Sequence, residues 1–437
     1  MTDAAPPGAP KGCGSQRAVV REQLARLRAA GARLRARPAA LVVGRLGELL
    51  ERWREPRASA LRPLVDGLAR AAGFHPRTIA RGLEVGLAPW TPAALRELLE
   101  RDLGEIPVLE GTGSRCASGF ATTSVVAGGT LPLPTALQIL LPLLLRSPVL
   151  VRPSAGDPVT PAWVARELAE LDPALGECVG VVSVPKQDEA AIDELLTADC
   201  VVVTGSDTTV EALRGRIRGG RRFVGYSHRL SVTVLGPLPR AERAAAVRGT
   251  ALDVALWDQL GCLSTTAVFV ADPDPRAAPA IAEALAVELD ALARELPPGE
   301  RPLEVTARIR AERGEAEMRA AGGEVVRVLG PEDGSFTVVL EAGARYRGTP
   351  LHRFVRVHPL RDPAGLPAVL GELGAHLAGV ALAGFGAKRP EIARRLARLG
   401  ASRICAPGAL QAPPLAWHHD GASPLLPLCR IADIEVA

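Results

Sequence analysis

The sequence lacks several features that would place it in a common class of proteins. It has no CxxC pair, and its seven cysteines are scattered over 437 residues, which argues against a disulfide scaffold or a zinc site. Lysine occurs only at Lys11, Lys186 and Lys388, and the net charge is only +4, so no clustered basic face for nucleic acid is expected. These absences favour a reducing, cytoplasmic compartment and a protein that does not bind nucleic acid.

Long uninterrupted hydrophobic runs are missing as well. The most apolar stretch, residues 131–151, is interrupted by prolines, Gln138 and Arg146, whereas a membrane span requires about 20 apolar residues. We therefore expect a buried helix followed by a strand in this stretch, and no membrane span. Residues 1–15 are rich in proline, alanine and glycine without the charged and apolar segments of a signal peptide, which predicts a disordered tail.

The remaining sequence has the composition of a globular protein, with 47% hydrophobic residues and room for two or three domains. Helical spacing over residues 16 to about 57 and over residues 92–101 predicts a mainly helical N-terminal region, residues 16–104. In the second of these helices, Thr91 can cap the N-terminus and Pro92 can take the first helical position.

After this region the sequence pattern changes to short runs of β-branched residues separated by stretches with helical spacing. The predicted strands are residues 149–151, 179–184, 200–203 and 231–235, and the predicted helices are residues 161–171, 188–196 and 208–216. This alternation predicts an α/β fold with a parallel sheet built by right-handed crossovers.

The segment DQLGCLS, residues 258–264, is the most informative part of the chain. It places Cys262 directly after Gly261 and shortly before the hydrophobic run 267–270. A cysteine attacks acyl groups as a thiolate, which needs a nearby dipole, cation or base, and a neighbouring glycine permits close approach of the substrate. Cys262 is therefore a candidate thioester-forming nucleophile, with a buried structural cysteine as the alternative.

Two loops have the character of dinucleotide-binding turns. In the first, a buried strand ends in Thr204, Gly205 and Ser206 and opens a helix, whose free N–H groups could face a pyrophosphate. The alternative is that Ser206 only caps this helix. No GxGxxG motif is present, which argues against an ordinary Rossmann dehydrogenase.

The second loop contains Arg152, Pro153 and Ser154 at the exit of the strand over residues 149–151. A guanidinium at the carboxyl edge of a sheet suits ribose or phosphate oxygens, although a solvated surface arginine is the alternative. No acidic residue follows until Asp157, which favours NADP over NAD as the cofactor.

Together these segments resemble the LuxC-type acyl-CoA reductases, the fatty-acid reductase branch of the aldehyde dehydrogenase superfamily. The segments that carry the resemblance are AGG (127–129), LVRPS (150–154), WDQLGCLS (257–264), SRIC (402–405) and PPLAWHHDG (413–421). The resemblance extends from about residue 82 to the C-terminus. It implies an aldehyde-dehydrogenase-like fold, with a Rossmann-like cofactor domain over residues 105–235, an α/β catalytic domain over residues 236–408 and a C-terminal segment over residues 409–437.

The implied reaction is a two-step reduction. Cys262 takes an acyl group from a thioester, and hydride from NADPH, or from NADH as the second choice, then releases the aldehyde. We count Gln259, from the same segment, and His228 as further catalytic candidates. The backbone N–H of Cys262 is a natural donor to the oxyanion of the tetrahedral intermediate.

The sequence departs from the family pattern at two places. Where the family has an asparagine that helps to hold the oxyanion, this chain has Gly129 or Thr130, and Thr130 is a candidate substitute. The superfamily's general-base glutamate is also absent, and a stretch containing His228 takes its place, which favours reduction over hydrolysis. His228 could assist as an acid or base, or could be an ordinary loop histidine.

The C-terminal segment contains Trp417 and His418. The resemblance assigns this pair to the acyl or nicotinamide pocket, and a structural loop held through Asp420 is the alternative. Adjacent histidines point to different sides of an extended chain, so a metal site is the least favoured interpretation. Residues 425–436 have strand character and could pair across a subunit boundary, which would make the protein a homo-oligomer.

Three functions remain open on the sequence alone. The first is an NAD(P)H-dependent reductase of acyl-CoA or acyl-protein thioesters, working with acyl-transferase or synthetase subunits. The second is a CoA-acylating aldehyde dehydrogenase that runs oxidatively. The third is a non-catalytic acyl-binding scaffold in a multienzyme complex.

Overall fold

The computed structural model describes residues 13–55 and 59–435. The tail predicted over residues 1–15 lies outside the described residues as far as residue 12, and the first helix begins at Cys13, inside the predicted tail. No helix in the described part of the chain combines the length and hydropathy needed to cross a membrane.

The N-terminal region is helical, as predicted. Its helices are α1 (Cys13–Arg35), α2 (Ala39–Arg54), α3 (Arg62–Ala72), α4 (Pro76–Leu87) and α5 (Pro92–Leu103). The single helix expected from residue 16 to about 57 is divided into α1 and α2, because Pro38 keeps the preceding residue out of the helical conformation. At α5, Thr91 Oγ1 accepts the N–H of Ala94 at 2.9 Å, which confirms the predicted cap.

A first parallel sheet has the strand order β4-β3-β2-β5-β6. Its strands are β2 (Thr123–Val126), β3 (Val149–Arg152), β4 (Val179–Val181), β5 (Cys200–Thr204) and β6 (Arg222–Tyr226). The accompanying helices are α6 (Pro132–Leu144), α7 (Thr160–Leu171), α8 (Pro173–Gly176), α9 (Glu189–Leu195) and α10 (Asp207–Arg214). The alternation of strand and helix predicted for this region is confirmed.

The N-terminal helices share a core with this sheet. Trp53 of α2 packs against Trp163 of α7 with ring centroids 4.5 Å apart, and both belong to a cluster that includes Leu83 of α4 and Val151 of β3. On the other face, Arg21 of α1 pairs with Glu194 of α9. Residues 16–104 therefore cover the first sheet, rather than forming a unit with a core of their own.

A second sheet has the strand order β13-β12-β7-β8-β11-β10-β9, and all neighbours are parallel except β9 and β10. Its strands are β7 (Leu230–Leu235), β8 (Thr265–Val270), β9 (Arg327–Leu329), β10 (Thr337–Leu340), β11 (Phe354–Pro359), β12 (Leu377–Ala383) and β13 (Arg403–Cys405). Its helices are α11 (Arg240–Ala255), α12 (Ala277–Glu295), α13 (Leu303–Ala321), α14 (Leu366–Gly371) and α15 (Arg389–Arg398).

The strand at residues 231–235 belongs to this second sheet and not to the cofactor region in which the sequence analysis placed it. It is part of β7, which pairs with β8 and β12. The chain therefore crosses from one sheet to the other at residues 227–229, between β6 and β7, rather than after residue 235. A β-branched run predicts a strand, but its partners are distant in sequence, so the sheet that it joins is not visible locally.

The C-terminal segment forms a separate two-stranded sheet with a strand that precedes the first sheet in the chain. The strand expected within residues 425–436 is β14 (Cys429–Asp433), with Val436 outside the described residues, and it pairs antiparallel with β1 (Arg115–Gly119) of the same chain. The edge of β14 that faces β1 is therefore paired within the chain, and pairing of its other edge across a subunit boundary stays a prediction. Upstream, Asp102 accepts hydrogen bonds from Ser423 and from the N–H of Leu425.

Candidate active site

Cys262 lies in the loop that enters β8, at the amino ends of the strands of the second sheet. This loop begins with Trp257, Asp258 and Gln259, which all have positive φ, at 55°, 47° and 65°. Such left-handed conformations cost about 1–2 kcal/mol per non-glycine residue, so surrounding contacts must hold them. Ser231 Oγ donates to the carbonyl of Cys262 at 2.8 Å, which ties the loop to β7.

A second segment with positive φ, at Leu351, His352 and Arg353, contacts this left-handed turn. Arg353 and Asp258 form an ion pair with a closest distance of 2.7 Å, and their side chains are only 1% and 6% exposed. Arg353 Nη1 also donates to the carbonyl of Leu296 at 2.8 Å. Because both charges are buried and satisfied, the pair fixes the position of the cysteine loop.

Gln259, a predicted catalytic residue, lies behind the nucleophile. Its side chain is fully buried, and Nε2 donates to the carbonyls of Thr265 at 2.7 Å and Phe354 at 3.0 Å. Trp257 packs against Gly82 of α4, where an added Cβ would lie 2.4 Å from the indole ring. The structure thus places Gln259 and Trp257 where they anchor the loop, with Gln259 outside the residues that line the space in front of the thiol.

The Cys262 thiol is half-buried and protonated at neutral pH. Burial raises its pKa to about 11, and the carboxylate of Asp420 raises it further in the same direction. The backbone N–H groups of Cys262 and Leu263 and the guanidinium of Arg229 act in the opposite direction. The two amides face the sulfur, so they lie beside the point where an acyl oxygen would acquire negative charge.

An apolar cavity of about 130 Å³, here called the Cys262 cavity, opens in front of the thiol. The first sheet, the Cys262 loop, the helical region and the C-terminal segment contribute to its wall. The lining includes Gly86 and Trp90 near α4; Leu133, Leu137 and Leu141 of α6; Val202 of β5; Tyr226 of β6; and Gln411, Leu415, Trp417, His419 and Leu428 of the C-terminal segment. Its few polar groups and many apolar side chains suit the hydrocarbon chain of an acyl group.

The structure brings His419, rather than the predicted His418, into the cavity. The His419 ring stacks on Tyr226 with centroids 4.6 Å apart and lies 4.7 Å from the ring of Trp417. His418 is exposed. Trp417 lines the cavity, and its Nε1 donates to the carbonyl of Ser402 at 3.0 Å. Adjacent residues face opposite ways, so the sequence could indicate the pair of histidines but not which one faces inward.

A buried ion pair next to the cavity was missed by the sequence analysis. Arg229 Nε lies 3.0 Å from Asp420 Oδ1, and the two side chains are 18% and 12% exposed. Arg229 belongs to the crossing between β6 and β7, and Asp420 to the C-terminal segment, so the pair joins parts of the chain that are far apart in sequence. The sequence did contain a hint of this ion pair, because Arg229 follows His228 and Asp420 follows the two histidines 418 and 419.

His228 lies away from the thiol. It is exposed, its ring centroid is 5.7 Å from that of His376, and its N–H donates to Asp207 Oδ1 at 2.9 Å. It is not among the residues lining the Cys262 cavity. The structure therefore brings Cys262 together with His419, and not with His228.

The predicted cofactor loop 204–206 leaves the carboxyl end of β5, beside the loop 127–130 that leaves β2, and the strand order of the first sheet reverses between these two strands. Open parallel sheets bind ligands at this switch point. An added Cβ on Gly128 would lie 2.2 Å from the carbonyl oxygen of Thr204, so the two loops approach as closely as backbone allows. Gly205 N–H donates to Tyr226 O at 3.1 Å, and Ser206 Oγ caps α10 by accepting the N–H of Thr209 at 3.3 Å.

The other predicted cofactor residues leave β3 beside these loops. Arg152 is 9% exposed and its Nε donates to the carbonyl of Val184 at 2.8 Å, which leaves the terminal nitrogens for a ligand. Burial lowers the pKa of this guanidinium. Next to it, Pro153 is half-buried and Ser154 Oγ donates to the carbonyl of Gly129. The exits of β2, β3 and β5 therefore lie side by side at the edge of the sheet where open parallel sheets bind ligands.

Gly129 and Thr130 follow β2. One of them stands where the family has the asparagine whose amide helps to hold the oxyanion. Gly129 is exposed with φ 84°, and an added Cβ would meet nothing within 4 Å. Thr130 turns its methyl group toward Gly156, where an added Cβ would lie 2.6 Å from it. The next residue, Leu131, lines the Cys262 cavity, whereas Gly129 and Thr130 do not.

Among the described residues, no three His, Cys, Asp or Glu side chains are grouped so that they could hold a metal ion.

Comparison with known proteins gives matches over most of the chain. The family model for acyl-CoA reductase (LuxC) matches residues 41–431. The chain is 24% identical over 400 residues to the long-chain acyl-protein thioester reductase of Aliivibrio fischeri, covering 88% of this chain and 80% of that protein. With the protein of the same name from Vibrio harveyi it shares 24% identity over 229 residues, covering 50% of this chain and 48% of that protein.

Solved structures of aldehyde dehydrogenases share the fold. The NAD-dependent benzaldehyde dehydrogenase of Corynebacterium glutamicum matches with a TM-score of 0.67 and 15% identity, covering 95% of this chain and 89% of that one. The salicylaldehyde dehydrogenase of Pseudomonas putida G7 matches with a TM-score of 0.70 and 12% identity over the same shares. The predicted fold class is confirmed, and the match of the family model over residues 41–431 shows that the chain belongs to the acyl-CoA reductase (LuxC) family.

Proposed function

We propose that this chain reduces a long-chain acyl thioester to the aldehyde through an acyl-Cys262 intermediate. The observation that carries the proposal is the position of the Cys262 thiol, at the wall of an apolar cavity to which the cofactor-binding sheet also contributes. The family assignment already makes the chain an oxidoreductase that acts on acyl groups. The long-chain substrate is the one named for the Aliivibrio fischeri and Vibrio harveyi relatives.

The chemistry is a thioester exchange followed by reduction. The sulfur of Cys262 forms a bond to the acyl carbon, the bond from that carbon to the donor sulfur breaks, and the donor leaves as a thiol with the proton of Cys262. The amides of Cys262 and Leu263 face the sulfur and would donate to the developing oxyanion. A bound reduced nicotinamide would supply the hydride that releases the aldehyde.

For the cofactor, the fold of the aldehyde dehydrogenases supports a nicotinamide dinucleotide, and we propose NADP as the preferred form. Asp157 is the first acidic residue after β3, and it is 1% exposed. Its Oδ1 accepts the N–H of Thr160 at 3.0 Å, so this carboxylate caps α7. A 2′-phosphate at the exit of β3 would therefore meet Ser154 and Ala155 rather than a facing carboxylate.

We further propose that the donor is an acyl-CoA or acyl-protein thioester presented by transferase or synthetase subunits, and that the protein works as a homo-oligomer in the cytoplasm. The β1–β14 pair supports the oligomer, since Leu426, Ile431 and Ile434 of the C-terminal segment are 39–40% exposed. The described cysteines from Cys116 onward are free, which supports a reducing compartment.

Intact-mass spectrometry after incubation with acyl-CoA tests the proposal. The wild type should gain one acyl group that NADPH removes with release of aldehyde, and Cys262→Ala should gain none. Cys405→Ala is the matched control, because Cys405 packs against the same small cluster as Cys262 and should leave acylation intact. An unmodified wild type would instead support the scaffold, and turnover only with aldehyde and CoA would support the oxidative enzyme.

A further inference from the structure

The imidazole of His419 is held in a fixed place near the Cys262 thiol. It lies between the rings of Tyr226 and Trp417, with centroid distances of 4.6 and 4.7 Å. Trp417 and Cys262 pack against the same cluster, which contains Leu263. Both His419 and Cys262 line the same cavity, so a substrate that reaches the thiol also reaches the imidazole.

A charged pair behind His419 sets the orientation of this ring. His419 Nε2 lies 3.8 Å from Asp420 Oδ1, and Arg229 Nε lies 3.0 Å from the same oxygen. Both carboxylate oxygens are buried, and neither accepts a hydrogen bond within the described part of the chain. They therefore have capacity to hold the Nε2 proton of an imidazolium.

At neutral pH the His419 imidazole and the Cys262 thiol are both uncharged. Burial lowers the pKa of His419, while Asp420 raises it and Arg229 lowers it. Burial raises the pKa of Cys262 to about 11. A neutral imidazole beside a neutral thiol can accept a proton, and the thiol needs such an acceptor because little of it ionises unaided.

We infer that His419 is the acid–base residue of acyl transfer, with Asp420 and Arg229 as positioning residues. The inference rests on the proposed function. His419 accepts the thiol proton of Cys262 as the sulfur bonds to the acyl carbon, and returns that proton to the donor sulfur as its bond to the acyl carbon breaks. This thioester exchange changes no oxidation state, so it requires no oxidant or reductant.

The test measures the rate of acyl-Cys262 formation by quenched-flow mass spectrometry on the full-length protein, comparing His419→Gln with His418→Gln. General acid–base groups contribute about 100-fold or more, so we expect His419→Gln to acylate at least 100-fold more slowly than the wild type. His418 is the exposed neighbour, and the same substitution there should change the rate less than threefold. Equal losses in the two variants, or a normal rate in His419→Gln, would overturn the inference.

A pH profile separates a chemical role from a structural one. In the wild type, acylation should rise with pH through a pKa below the ordinary histidine value of 6.5. The groups that act on or stack against this imidazole are Asp420, Arg229 and Tyr226, and Cys262 lines the same cavity. In His419→Gln the rise in acylation rate should instead follow ionisation of the Cys262 thiol, near pH 11. An unmoved profile contradicts the inference, whereas a wild type that forms no adduct at all contradicts the proposed function instead.

Discussion

On the cofactor side of the active site, turns of the backbone make the site, whereas on the nucleophile side it consists of side chains that meet from distant parts of the chain. Gly128 and Thr204 approach through backbone atoms at the ends of two neighbouring strands. Cys262, by contrast, depends on Asp258 and Arg353, which are separated by 95 residues. The cofactor side is formed by local turns, so short sequence motifs predict it. The nucleophile side depends on contacts that form only in the complete fold.

The largest effect is expected from removing the buried cation on the nucleophile side. Arg353→Met leaves the carboxylate of Asp258 buried and unpaired, which typically costs about 3–5 kcal/mol of unfolding free energy. Urea unfolding measures this loss, and acylation of Cys262 should fall with it.

Arg276→Met is the matched control, because Arg276 pairs with Asp274 on the surface at 3.1 Å with 89% of its side chain exposed. Exposed pairs contribute at most about 1 kcal/mol. If Arg353→Met were no more destabilising than this control, the cysteine loop would not depend on the buried pair.

An intermediate effect is expected on the cofactor side. Gly128→Ala places a Cβ 2.2 Å from the Thr204 carbonyl oxygen, so the two loops must separate. Overpacking of this kind costs about 1–3 kcal/mol, which corresponds to a loss of dinucleotide affinity of about 5- to 150-fold, measured by isothermal titration.

Acylation of Cys262 should stay within twofold of the wild type in the same variant, since the nucleophile side is untouched. Gly113→Ala, at a position where an added Cβ meets nothing within 4 Å, should change neither quantity. Parallel losses of binding and acylation would show that the two sides of the site are not independent.

The smallest effect concerns the charges beside the thiol. The Asp420 carboxylate raises the pKa of Cys262, so Asp420→Asn should lower it and enlarge the thiolate fraction at pH 8. Alkylation by iodoacetamide should then be faster than in the wild type, because the thiolate is the reactive form. Arg229 acts in the opposite direction, and Arg229→Gln should slow alkylation. The same direction of change in both variants would rule out a direct electrostatic cause.

Much of the first sheet could be predicted because its signals are local. The runs at residues 149–151 and 200–203 are strands, and Thr91 caps its helix as expected. The error concerns a strand's partners rather than its existence, since β7 joins the second sheet. A short run of β-branched residues has the same periodicity in either sheet, so only long-range packing decides where it pairs.

For the active site, the sequence by itself determined the nucleophile candidate and the backbone loops. A cysteine beside a glycine indicates an accessible nucleophile, and a glycine at the end of a strand indicates a turn that can approach a ligand closely. Only the tertiary structure decided which histidine lines the Cys262 cavity, and that the charges of Arg229 and Asp420 act on the thiol. Orientation and electrostatics depend on distances between side chains, and residues far apart in the chain acquire those distances only when the two sheets and the C-terminal segment pack together.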